Sequence, residues 1–243
     1  MKVLRDTLGR LFLPHYCQFC QASTLGGRLR TVCRACEQKI PAPAASSCAI
    51  CDEEFSAKLG PDVACLNCEG QTFSFEKNRS ALRVGQEAVA MVHALKYQRQ
   101  TIFSRDFAAL LEPLVEQLMK QEKAVSGWRL VPVPLHRRRL GSRGFNQAER
   151  IASFLSKRTG VPLANSLKRT RYTTTQTALD RKQRQANLKG AFALRRRTRL
   201  PEGCGVFLID DVFTTGSTAD ACSEVLMRDS GAQKVIVLTA MRG

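Results

Sequence analysis

Aromatic residues are scarce in this chain, 7% of 243 positions, which argues against an extended platform for stacking successive bases of a nucleic-acid strand. No apolar run approaches the roughly 18 residues that a helix needs to cross a bilayer. Lys2, Arg5, Asp6 and Arg10 interrupt the N-terminal stretch and leave no continuous apolar core for a secretory signal. A cytoplasmic protein without membrane insertion is therefore expected. Leu4, Leu8, Leu11 and Phe12 share one helical face, which is read as docking on the protein itself. Histidine is rare too: His15, His93 and His136 have no ligand-type spacing to one another, and His136, in a basic loop, is the one expected to touch a ligand. Acidic residues are in deficit, 21 against 38 Lys and Arg, so the net charge is +17. Such a balance favours polyanionic partners, either phosphorylated ligands or nucleic acid.

Cysteine is in excess, with ten residues, and a reducing compartment makes disulfides a poor explanation. Eight fall into four Cys-x-x-Cys pairs: Cys17 and Cys20, Cys33 and Cys36, Cys48 and Cys51, Cys65 and Cys68. Each pair sets two thiolates on a tight turn, and two turns complete a tetrahedral zinc site. Sequential pairing is the simplest arrangement, while crossed pairing or a single occupied site stays open. Four thiolates leave no position for water, so the metal is expected to be structural. Apolar residues are too few between positions 17 and 68 for this part to fold convincingly without metal. Cys204 and Cys222 stand apart and read as packed thiols.

From about residue 76 the pattern changes. A short strand is expected over 80–84, a helix over 86–97 and another over 107–118 despite Pro113. Leu130 to Pro134 is a short β-type run leading into a basic loop, and 146–157 has helical periodicity. Val206 to Ile209 and Val235 to Thr239 are continuous apolar runs flanking a helix over 219–228, the pattern of parallel strands buried on both faces. The second half is α/β.

The chemistry concentrates in Leu208-Ile-Asp-Asp-Val-Phe-Thr-Thr-Gly-Ser-Thr218. Asp210 and Asp211 stand where a buried strand emerges, and a carboxylate there can accept hydrogen bonds from vicinal ribose hydroxyls. Thr214, Thr215, Gly216, Ser217 and Thr218 bring hydroxyls and backbone N–H groups to a helix N-terminus, an anion site that Gly216 lets the backbone wrap closely. Ribose hydroxyls and a phosphate held by one loop describe a phosphoribosyl group.

This stretch resembles the phosphoribosyl pyrophosphate (PRPP) motif of type I phosphoribosyltransferases. Val131-Pro-Val-Pro134, Arg137-Arg-Arg139, Arg143-Gly-Phe-Asn-Gln147, Ala178-Leu-Asp-Arg181, Asn187 and the cysteine-rich start make the whole chain similar to the ComF family of competence-associated proteins. The resemblance implies a zinc-ribbon-like module over 1–75 followed by a type I phosphoribosyltransferase domain with a mainly parallel sheet over 76–243. It implies PRPP bound with Mg²⁺, a pyrophosphate loop carrying Arg137, Arg138, Arg139 and Arg143, and either a lid or an ordered surface hairpin carrying Gln176, Arg181 and Arg184. Lys96 and Tyr97 are further candidates for the phosphates. The family also implies a role in natural transformation with incoming single-stranded DNA, and with competence helicase or recombination proteins as partners. Any grip on DNA would be mainly electrostatic. Two other classes stay open, a metabolic phosphoribosyltransferase acting on a nucleobase or amine and a PRPP sensor without chemistry. No residue marks a nucleobase pocket, which weakens the first of them.

Overall fold

The computed structural model describes residues 16–41, 46–125, 127–172, 187–196 and 198–243. The 1–15 face and the lid candidates Gln176, Arg181 and Arg184 lie outside them. Among the described residues no helix is long and apolar enough to cross a membrane.

The centre is a parallel sheet of order β1-β6-β5-β2, formed by β1 (Lys77–Arg83), β2 (Trp128–Pro132), β5 (Cys204–Phe213) and β6 (Ala232–Arg242). The middle strands read as near-continuous apolar runs because both faces are covered; Val206 to Ile209 and Val235 to Leu238 are all buried. Gly205 is needed in β5 for space, since a Cβ there would lie 2.6 Å from the Trp128 ring.

The first helix, α1 (Arg34–Glu37), is a single turn among the first cysteines, and one hydrophobic cluster holds α2 (Gln86–Tyr97), α3 (Phe103–Gln121) and α5 (Gln147–Thr159) against the sheet through Met91, Leu95, Phe107, Leu111, Ile151 and Leu155. A second cluster holds α6 (Ser217–Asp229) through Cys222, Val225 and Leu226. Cys222 and Cys204 are buried there, and burial raises both thiols, as expected of packed cysteines. Pro113 sits inside α3 without ending it. A small antiparallel pair, β3 (Leu167–Arg169) with β4 (Phe192–Leu194), contacts α6 and has no counterpart in the sequence reading.

The cysteine pairs are built into this body. Cys17, Cys33 and Cys36 belong to the first cluster and Cys48, Cys51 and Cys68 to the second. Asp106 of α3, almost wholly buried, accepts from the N–H groups of Arg30 and Thr31 and from the Thr31 hydroxyl, which ties the first cysteine group to the helix. Burial raises the Asp106 carboxyl, and these donors oppose it. Residues 50–53 run along the free side of β1: Asn78 N–H donates to Ile50 O, and Ser80 N–H donates to the Asp52 carboxylate. The edge of the sheet is thereby covered.

Candidate functional site

The acidic pair lies within β5, whose pairing with β6 continues past Ile209 to Phe213. The apolar run stops at Ile209 but the backbone ladder does not. Asp211 N–H donates to Asp210 Oδ1 at 2.8 Å, and Lys96 Nζ, from the last turn of α2, lies 2.9 Å from Asp211 Oδ1. Burial, then the charge of Asp211, push the Asp210 carboxyl up to about 7, against the pull of Lys96 and Arg169.

Beyond β5 the chain turns through Thr214 and Thr215 into α6. Gly216 caps the helix with φ +79°, and a Cβ there would approach the Phe213 ring to 2.8 Å. Both facts require glycine. Thr215 and Ser217 hydroxyls lie 3.0 Å apart, and the N–H groups of the first turn have no helical acceptor.

A cavity of about 660 Å³ opens beside this turn. Asp210, Asp211 and Thr218 line it, whereas Thr214, Thr215, Gly216 and Ser217, the turn just before Thr218, are not part of its lining. Five cations line it as well: Lys96, Arg99, Arg139, Arg143 and Arg169. The basic stretch expected as a loop is a helix, α4 (Arg137–Arg143), capped by His136, whose Nδ1 accepts from Arg138 N–H, and ended by Gly144 at φ +79°. Helical geometry splits the four arginines. Arg139 and Arg143 reach the cavity; Arg137 and Arg138 are exposed outside its lining, with Arg138 over the Tyr172 ring. His136 also packs on Tyr172 and is absent from the lining.

Lys96 and Tyr97 do line the cavity, with Arg143 stacked over Tyr97. Asn146 fixes the start of α5, accepting from Ala148 N–H and donating to Val133 O. Buried Gln147 accepts from Arg143 at 3.1 Å, and its Nε2 finds no acceptor among the described residues. Arg99 and Arg169 were missed by sequence reasoning. Arg99 stands in a turn with φ +56° and Arg169 ends a three-residue strand, so neither carries a motif. Burial, then the nearby charge of Arg139, lower the Arg169 guanidinium. Cations this close favour an anionic guest.

The cysteines form two sequential groups, Cys17, Cys20, Cys33 and Cys36, and Cys48, Cys51, Cys65 and Cys68, with the sulfurs of each within 4.8 Å of one another. Sulfurs are 3.5 Å apart for Cys20 and Cys33 and 3.6 Å for Cys51 and Cys65. A tetrahedral ion with metal–sulfur bonds near 2.3 Å needs about 3.8 Å, so both groups fit one. Burial opposes ionisation of Cys17 and Cys48, yet backbone N–H donors outweigh it and hold them down to about 6 and about 7. Burial lifts Cys51 to about 11, with the charge of Cys48 adding to it. In such a set a divalent cation relieves the repulsion as the thiols release protons.

Comparison with known proteins bears on both parts. Residues 142–243 match the phosphoribosyl transferase domain. The chain is 33% identical to Competence protein F of Haemophilus influenzae over 174 residues, covering 71% of this chain and 76% of that protein. The chain belongs to the ComF family. Other relatives of this ComF-family chain are DNA utilization protein YhgH of Salmonella typhimurium, 29% identical over 231 residues (91% of this chain, 95% of the relative), and Competence protein ComFC of Bacillus subtilis, 23% identical over 219 residues (87% and 84%). The domain match contains Arg143, the acidic pair and the glycine-capped turn; Arg139 and the cysteine groups precede it.

Proposed function

We propose that this ComF-family protein binds PRPP with Mg²⁺ in the 660 Å³ cavity and supports the handling of single-stranded DNA taken up from outside. One observation carries the first half: two carboxylates and the mouth of a glycine-capped turn meet five cations at a single cavity. Asp210 and Asp211 accept from the ribose hydroxyls, the 214–218 turn holds the 5′-phosphate, and Arg139 and Arg143 face the pyrophosphate. The raised Asp210 carboxyl fits a site that gains a cation with its ligand. Bound with the diphosphate, Mg²⁺ supplies charge that stabilises a departing pyrophosphate. Arginine donors add to that charge in a cavity whose walls exclude part of the water. We assign zinc to both cysteine groups, in a structural role.

The second half rests on relatives named for competence and DNA utilization, together with the +17 charge. Binding to DNA would run through phosphates, with exposed Arg195 and Arg196 beside the β3–β4 pair as contributors. Competence helicase or recombination proteins are the protein partners to test. The experiment is calorimetric titration of PRPP with and without Mg²⁺, alongside single-stranded DNA binding over a salt series and elemental analysis for zinc. Mg²⁺-dependent PRPP binding and about two zinc ions per chain are expected. A protein that binds no PRPP, or carries no zinc with freely titratable thiols, contradicts the proposal.

A further inference from the structure

The second cysteine group and the phosphate-type turn touch through a short series of side chains. Arg242 ends β6 directly opposite Phe213, which ends β5. The guanidinium is buried, donates from Nη1 to Phe213 O at 3.1 Å, and lies over the Phe213 ring at 5.5 Å. Its Nη2 reaches Cys51 Sγ at 3.9 Å and pairs with Glu53, two residues along the same turn. The tip of the Phe213 ring meets Gly216, where a Cβ would approach it to 2.8 Å. A second strut runs from Cys68: Phe75 packs edge-on against Phe213, and Ser74 N–H donates to Asp220 in the first turn of α6 at 2.8 Å. Among the described residues no such series joins the first cysteine group to this turn; that group is tied to α3 through Asp106.

From this geometry we propose that Arg242 is a positioning residue that couples metal binding at Cys48, Cys51, Cys65 and Cys68 to phosphate binding at residues 214–218. The proposal rests on the reading of that turn as the 5′-phosphate site. A metal that fixes the Cys51 turn fixes one face of the guanidinium. The guanidinium then holds Phe213, and Phe213 sets the height of Gly216 under the phosphate. Coupling between two sites is reciprocal, so phosphate binding must hold the metal more firmly at this group. The first group lies outside the path and serves as an internal control.

The test follows metal loss thiol by thiol. Purified protein, with or without PRPP and Mg²⁺, meets a zinc-selective chelator, and alkylation of each cysteine is read by peptide mass analysis. PRPP is expected to slow alkylation of Cys48, Cys51, Cys65 and Cys68 about tenfold, within the usual range for coupled sites, and to leave Cys17, Cys20, Cys33 and Cys36 unchanged. In Arg242→Met the protection disappears while calorimetry still detects PRPP, bound more weakly. Should that variant not fold, Arg242→Lys keeps the charge without the planar fork and loses most of the protection. PRPP that binds the wild type yet slows neither group, or both groups alike, overturns the coupling. So does protection that survives in both variants. A wild type that binds no PRPP in calorimetry instead removes the functional reading, and this proposal with it.

Discussion

Asp210→Asn separates the electrostatic cost of the site from its use. The substitution keeps the shape and keeps an oxygen to accept from Asp211 N–H, but it removes the ionisable group. In the folded protein the carboxyl stays protonated up to about 7, whereas its ordinary value is 3.8. Below 3.8 the group is neutral in both states and favours neither. As pH rises from 3.8 the unfolded chain releases the proton and the folded chain does not, so folded stability falls until pH passes about 7. The gap between 3.8 and about 7 is worth about 4 kcal/mol at 1.36 kcal/mol per tenfold change in acidity. Asp210 borders an open cavity rather than the core, so about 2–4 kcal/mol is the expected span. Urea unfolding without ligand should find Asp210→Asn close to wild type at pH 4 and more stable by about 2–4 kcal/mol at pH 8. The same variant should lose most Mg²⁺-dependent PRPP affinity. A stability difference that stays flat between pH 4 and 8 would refute the argument, because it would mean that Asp210 ionises freely in the folded chain.

Three further outcomes are expected. Gly216→Ala forces a side chain into φ +79° and against Phe213, and should cost about 1–3 kcal/mol of stability with at least a tenfold loss of PRPP affinity by calorimetry. Arg139→Ala and Arg143→Ala should each weaken PRPP binding about tenfold or more, while Arg137→Ala and Arg138→Ala, outside the cavity lining, should change it less than threefold; equal effects in all four would deny the helical division of the arginines. Replacing Arg195 and Arg196 together should reduce single-stranded DNA binding and flatten its dependence on salt, with PRPP affinity unchanged; binding indifferent to salt would leave only the cavity as an anion site.

Much of this was legible from periodicity and composition. The helix over 86–97 and the buried runs in β5 and β6 follow directly from apolar spacing, and Asp210, Asp211 and the 214–218 turn follow from chemistry concentrated in one stretch. The misreadings have local causes. α4 carries no apolar periodicity in Arg137-Arg-Arg-Leu-Gly-Ser-Arg143 and buries no residue, so only its cap at His136 and the left-handed Gly144 mark its ends. Strand β5 was cut short at Ile209 because two carboxylates end the apolar signal, although Asp210 still pairs with Thr239 and Val212 with Met241. The β3–β4 pair is three residues on each side, below the length at which alternation can be read. Arg99 and Arg169 join the cavity through tertiary placement alone. The cysteine spacing announced two four-sulfur groups able to hold a metal; that they would sit in different hydrophobic clusters was written in no local pattern.

The sheet order has a consequence for the protein while it is being made. Among the described strands β1 pairs only with β6, and partners such as Ser80 and Thr239 stand 159 residues apart in the chain. At roughly 5–20 residues per second, β1 leaves the ribosome roughly 8–30 seconds before its partner exists. The segment with Cys48, Cys51, Cys65 and Cys68, which docks along β1 and on the cluster beneath β5 and β6, waits through the same interval. Four thiols are open to solvent, oxidants and stray metals for that time. Early capture of the zinc proposed for this group would close them, and a cell starved of zinc should then lose this protein to oxidation and proteolysis of nascent chains before any defect appears in molecules already folded.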